Sequence, residues 1–477
     1  MKNLHPNWLG IALILWATWS CKLNETLVRA ENKNLPESFG SLSSNSESDT
    51  LPAWTNLFQD QYLKTLIDSA LSKNQELNIF LQEIEVANTE VRARKGEYLP
   101  FVSVQAGAGM DKVGRYTRYG ALEHSTEIKP GEEFPEPFSD YILSANASWE
   151  LDVWKKLRNA KKSALLNYLA TVEGKNFLVT QLVAEVTQSY YELVALDNQL
   201  EILKQNIQIQ KNALEIVKLQ KNAAKVTELA VKRFEAEVAK NQSLIYELQQ
   251  QIVETEIQLR FLTGSYNSPI LRNSNHFLEQ SLYPLQTGIP IQLLSRRPDI
   301  RQAELTLEAA KVDVQVAKAS FYPNFRITGA LGYNAFQPGL LFSTPESLLY
   351  GLAGDMLAPL VNRNALKAQL KASNAKQLQA VYEFEQKLLE AYLEVNSQVA
   401  MVSNLEQSFT QKSNQVAALT QSIDIANKLF SSARADYVEV LLTQREALES
   451  RMELVETKLS QVKAGVGLYQ KLGGGWY

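Results

Sequence analysis

Long, unbroken heptads set the tightest limit on what this chain can fold into. Leu196, Leu200, Leu203, Ile207, Gln210, Leu214 and Val217 step by alternating fours and threes. Val231, Phe234, Val238, Asn241, Ile245, Leu248, Ile252, Thr255, Leu259 and Leu262 do the same, and two further runs extend from Leu388 to Phe430 and from Leu441 to Tyr469. A sustained 3.5-residue repeat means helices packed side by side along a seam. At 1.5 Å per residue, a helix over 156–222 is about 100 Å long, more than an ordinary globular domain holds. Gln210, Asn241, Thr255 and Asn427 interrupt the stripes with polar side chains. That is odd for a dry seam and suits helices packed sideways around a wet tunnel; a solid coiled-coil bundle is the competing arrangement.

The chain is also written twice. Val91-Arg92-Ala93-Arg94-Lys95-Gly96-Glu97-Tyr98-Leu99-Pro100-Phe101 is echoed by Val314-Gln315-Val316-Ala317-Lys318-Ala319-Ser320-Phe321-Tyr322-Pro323-Asn324. Both run from a helix into an aromatic and then a proline, a sound helix stop at the first position of a strand. Thr227-Glu228-Leu229 and Val438-Glu439-Val440 form a second echo, each between two long helical stretches, and both echoes lie roughly 210–225 residues apart. Each half therefore reads helix, strand, loop, strand, long helix, turn, long helix. The predicted repeats are 54–263, with strands at 98–110 and 140–153, and 298–465, with strands at 321–333 and 346–360. A linker, 264–297, joins them, and 466–477 closes the chain.

The strand segments alternate with period two. Val102, Val104, Ala106 and Ala108 alternate with small or polar partners, as do Tyr141 to Val153 and Phe325 to Tyr333; the last segment, Leu348 to Met356, alternates less cleanly. Each is about as long as the roughly 9–11 residues of a membrane-crossing strand, and apolar-out, polar-in alternation is the mark of an outer-membrane barrel. Four strands cannot enclose a channel, and lipid cannot satisfy an open sheet edge. If these strands cross a membrane, several chains must pool them. Residues 111–139 read as a long polar outer loop, and 334–346 as a shorter one.

Past the N-terminus no apolar run reaches the roughly 18 residues of a membrane helix, which excludes a polytopic helical transporter. Residues 1–20 have the layout of an export signal: Lys2 and His5, an apolar stretch from Leu9 to Ala17, then the small Ser20. Cys21 follows, the only cysteine in 477 residues, and its place predicts lipidation at a new N-terminus, although Thr18 stands where a leucine is usual. Residues 21–53 read as a polar tether. A net charge of -4 gives no electrostatic reason to expect nucleic acid.

The order of elements and three motifs resemble TolC-type outer-membrane efflux factors, in particular the lipoprotein branch that serves resistance-nodulation-division (RND) pumps. Ser295-Arg296-Arg297-Pro298-Asp299-Ile300 is similar to that branch's linker signature, Ser148-Trp149-Glu150-Leu151-Asp152-Val153-Trp154 to its second strand ending, and Leu468-Tyr469-Gln470-Lys471-Leu472-Gly473-Gly474-Gly475-Trp476 to its terminus. The resemblance covers about 54–477. It implies a mainly α fold with a membrane β-barrel: a homotrimer with twelve strands, four per chain, above a helical tunnel that crosses the periplasm and shuts at its far end. It implies a periplasmic membrane-fusion adaptor, an inner-membrane RND pump and outer-membrane lipid as partners, and no cofactor.

The family's closing turns map onto the second echo. Where the family has Gly six residues before an acidic tip residue, this chain has Asn222 before Glu228, and Ala433 before Glu439; Asn tolerates left-handed backbone. Leu442 stands where an Asp is usual. The expected gate is a ring of Glu439 beside a ring of Leu442, with Arg445 one turn above on roughly the same helix face. The expected docking tips for the adaptor contain Asn222, Thr227, Glu228, Ala433 and Asp436. Arg296, Arg297, Pro298 and Asp299 are expected to brace the waist by ion pairing and by starting a helix.

No catalytic or metal-binding motif is present. The three histidines, His5, His124 and His276, fall in the export segment and in loops. The leading reading is a passive exit duct for small molecules, not an enzyme. A lipid-anchored periplasmic adaptor or coiled-coil scaffold, and the duct of a type I protein secretion system, are the alternatives.

Overall fold

The structure is a computed structural model that describes residues 29–39, 51–280, 290–432 and 434–476. The export segment, Cys21, part of the tether, 281–289 of the linker and Ala433 lie outside the described residues. The chain divides into two compact units, and neither follows the sequence repeats. One holds Gly96–Ala160 and Ala310–Tyr382 with the described part of Met1–Asn32; the other holds Lys33–Lys95, Lys161–Ala309 and Glu383–Tyr477.

The main elements are helices α1 (Gln61–Lys73) and α2 (Gln75–Glu97), strands β1 (Phe101–Asp111) and β2 (Phe138–Leu151), helices α3 (Lys156–Asn222), α4 (Glu228–Leu262) and α5 (Pro298–Ala319), strands β3 (Asn324–Ala335) and β4 (Leu348–Leu357), and helices α6 (Asn364–Ser431) and α7 (Tyr437–Lys471). Among the described residues no helix is long and apolar enough to cross a membrane.

In the first unit, β1 to β4 form one antiparallel meander in chain order. The register runs through Phe101↔Ser148, Tyr141↔Ala335 and Asn324↔Leu357. The outer edges of β1 and β4 pair with nothing among the described residues. Large apolar side chains stand exposed along both edge strands, including Val104, Met110, Tyr350 and Leu352. The polar loop after β1 departs from the plain loop expected: it holds a short helix, Arg118–Ser125, and a two-stranded ribbon, Glu127–Lys129 with Glu132–Glu133. Thr117 starts that helix by accepting from the Gly120 N–H at 3.2 Å, a local cap that weak periodicity does not reveal.

In the second unit, the heptad stripes lie inside. Leu196, Leu203, Ile207, Leu248 and Leu448 form one buried cluster drawn from α3, α4 and α7. Gln210 and Asn241 depart from their reading as tunnel-facing polar groups. They are 0% and 1% exposed, and Asn241 Nδ2 donates to Gln210 Oε1 at 2.8 Å. Burial with a mutual hydrogen bond replaces contact with water at these two sites.

Asn74 joins three helix ends. Its backbone N–H closes α1 on Ala70, its Oδ1 accepts from the Leu77 N–H at 2.9 Å to start α2, and its Nδ2 donates to the Leu262 carbonyl at 3.0 Å at the end of α4. Gly264 follows that end with φ +60, and a Cβ there would run into the Lys73 carbonyl oxygen. Gly264→Ala is therefore expected to destabilise the protein by about 2 kcal/mol or more, since left-handed backbone alone costs about 1–2 kcal/mol. Thermal unfolding of the purified protein checks this; an unchanged midpoint would contradict it.

Candidate functional site

The two helical hairpins end in tight turns. At the first, the Lys225 N–H reaches the Gln220 carbonyl at 2.9 Å and the Ala224 N–H reaches Lys221 at 2.8 Å, the paired bonds of a Schellman ending. The left-handed residue is Ala224, with φ 55. Asn222 is helical, so the expected left-handed role falls two residues later because α3 runs on through its last turn. Thr227 precedes α4 and lends its backbone carbonyl to the Ala230 N–H at 3.1 Å, with no side-chain cap. Glu228 pairs with Lys221 across the turn and lies 3.8 Å from Lys232.

The hydrogen bond from Lys221 holds the Glu228 carboxyl below its ordinary value, with the charges of Lys221 and Lys232 acting in the same sense. The depressed value means the bridge is present at neutral pH. It is lost only as pH falls through the lowered value, below the usual carboxylate range.

At the second tip, the Arg434 N–H reaches the Leu429 carbonyl at 2.9 Å, and the Asp436 carbonyl accepts from the Glu439 N–H at 3.1 Å as α7 begins. Val440 is buried at 3%, and Tyr437 and Leu441 pack against a cluster that holds Leu214, Val217, Val231 and Phe234. That packing turns Glu439 and Leu442 outward: Glu439 is exposed, and Leu442 is 39% exposed. The Arg445 side chain is partly exposed, with Nε 3.9 Å from Glu449 Oε1. Glu446 and Glu449 continue the exposed line. Counting on from Leu442 in steps of four and three would have found both.

At the waist, Pro298 opens α5 and Asp299 sits in its first turn. Arg297, 6% exposed, grips Asp299 with two bonds of 3.0 and 2.7 Å. The same guanidinium donates to Glu394 of α6 at 3.0 Å and to the Lys471 carbonyl that ends α7 at 3.2 Å. Burial works against the charge, but the bonds to Asp299 and Glu394 outweigh it and hold the guanidinium above its ordinary value. Arg296 ends the short turn Leu293–Arg296.

A meander of membrane-length strands, each strand pair leading into a long helical hairpin, is the build of a channel subunit of the bacterial outer membrane. The outer membrane efflux protein family matches residues 66–265 and 289–474. The chain belongs to that family, and it is an outer-membrane channel for efflux of the TolC type. It is 26% identical over 424 residues to the cation efflux system protein CusC of Escherichia coli, covering 89% of this chain and 88% of CusC. To the pyoverdine export outer membrane protein OpmQ of Pseudomonas aeruginosa it is 26% identical over 431 residues, 90% of this chain and 89% of OpmQ. Among solved structures, CusC superposes with TM-score 0.82 at 24% identity, over 95% of this chain and 100% of that one. The MtrE channel of Neisseria gonorrhoeae superposes with TM-score 0.83 at 20% identity, over 94% and 97%. These relatives are transport channels, not enzymes.

Proposed function

We propose that three copies of this chain close one twelve-stranded barrel and one helical tunnel, and that the assembly is a passive exit duct for small molecules. The supporting observation is the sheet itself. Its strands have 10 to 14 residues, and among the described residues both of its edges are open. In lipid each unpaired backbone group costs several kcal/mol, and pairing β1 of one copy with β4 of the next removes both edges at once. An uncovered apolar face on α4, with Tyr246, Val253, Ile257 and Phe261 all exposed, suits the same neighbour.

In this reading Cys21 carries the lipid anchor. A periplasmic membrane-fusion adaptor grips the tips around Asn222, Thr227, Glu228, Ala433 and Asp436, and an inner-membrane RND pump supplies the energy. Glu439 and Leu442 line the closing end, with Arg445 behind them; three carboxylates favour cations, and a Leu ring shuts by dewetting. Cargo is left to the pump. Relatives of equal similarity are named for cations, for pyoverdine and for toluene, so likeness at this level does not choose among them. An adaptor or scaffold would have no use for the strand hairpins.

Deleting both turns tests the reading. The expected result is loss of tolerance to dyes, solvents and metal salts in the host, with heat-modifiable trimers still present in the outer membrane. Trimers with undiminished tolerance would contradict the docking role.

A further inference from the structure

The charges of the sheet all lie on one face, and one of them differs in sign. Residues directly opposite on paired strands share a face, and residues two apart along a strand return to it. One face carries Val104, Trp149, Ile327 and Leu352; the other carries Ser103, Asn146, Ser148 and Thr328. The four strands hold five charged residues, Asp111, Asp140, Glu150, Arg326 and Asp355, and all five fall on the polar face. In a membrane the apolar face meets lipid, so the polar face lines the lumen of the barrel proposed above. Arg326 is the one cation among these five.

Asp111 and Asp140 stand at one end of the sheet. The other three form a single row near the opposite end, Glu150↔Arg326↔Asp355 across β2, β3 and β4. Glu150 is already engaged, because Lys156 Nζ donates to it at 3.0 Å. Arg326 and Asp355 are exposed, and neither side chain has an ion-pair partner among the described residues. Opposite charges side by side at an exposed position attract only weakly. An ion, or a charged group moving along this face, therefore competes for either of them. Between this row and Asp140 the face holds no charge, so nothing on the intervening strands masks the two.

We propose that Arg326 and Asp355 are charge-selecting residues of the duct. Arg326 meets anionic groups of passing solutes, Asp355 meets cationic ones, and together they let the inner rows of an otherwise acidic lumen pass both signs. The proposal rests on the duct reading above. Charges that only keep the face wet would not sort ions.

Reversal potentials in a KCl gradient decide it, measured on full-length trimers in a planar bilayer. Leu442→Ala serves as the common parent so that current flows. Adding Arg326→Gln is expected to raise the cation-to-anion permeability ratio about twofold in dilute salt, about 0.01 M, where a charge acts over about 30 Å. Asp355→Asn is expected to lower it by a similar factor, and the two together to return it near the parent. Arg326→Lys, which keeps the charge, should leave the ratio unchanged. At about 1 M salt, where screening shortens the reach to about 3 Å, the shifts should fade. Conducting trimers with one ratio throughout, shifts of the same sign from both variants, or shifts that persist undiminished at high salt would overturn the charge-selecting role and leave the duct standing. Absence of current from the parent and every variant would overturn the duct reading and this role with it.

Discussion

Arg297→Leu is expected to cost the folded protein about 3–5 kcal/mol, the effect of breaking a buried ion pair from one side. The loss would reach three places in the chain. Asp299, 8% exposed, would keep its charge with no partner at the start of α5. Glu394 on α6 would lose its 3.0 Å contact, and the Lys471 carbonyl at the end of α7 its 3.2 Å donor. Arg297→Lys should rescue little, because one ammonium cannot match the planar fork that serves Asp299 twice and Glu394 once. Arg297→Leu/Asp299→Leu should recover much of the loss, since removing both charges leaves neither stranded. Denaturant unfolding of the purified protein measures all three. Equal stability of Arg297→Leu and wild type would show the waist to be held by packing alone.

Much of the fold is legible in the residues because its long helices need no tertiary information. The heptads of 196–217 run without a proline, and α3 ends at Asn222. The strands are legible where only one face is apolar, as in β2. β4 is the weaker case, because Leu348, Leu349, Leu352 and Leu357 place apolar side chains on both faces and blur the alternation. The short helix Arg118–Ser125 and its ribbon depend on a Thr117 cap and local turns, and periodicity is silent there.

The site is legible in part. Spacing alone puts Glu439 and Leu442 on one face. It does not show that Leu441, their neighbour, is drawn into the tip cluster, which is what turns Leu442 outward. Nor does spacing separate a polar residue facing water from one bonded inside a seam: Gln210 and Asn241 carry the same letters in either case. The difference lies in the partner on the neighbouring helix of the hairpin, Asn241 for Gln210.

The proposed gate carries the second large effect. Leu442 is held outward by the packing of Val440 and Leu441, and Glu439 precedes it by one turn on the same face. Around a threefold axis each would appear three times. In the proposed trimer, truncating Leu442 would remove an apolar ring that expels water, and truncating Glu439 would remove three carboxylates from the same stretch. The measurement that tests the account most directly is single-channel conductance of the purified trimer in a planar bilayer, comparing wild type with Glu439→Ala and Leu442→Ala. The account predicts small or absent current in wild type and a clear rise in either variant. No current from any variant, with the protein staying soluble once its lipid is removed, would contradict it.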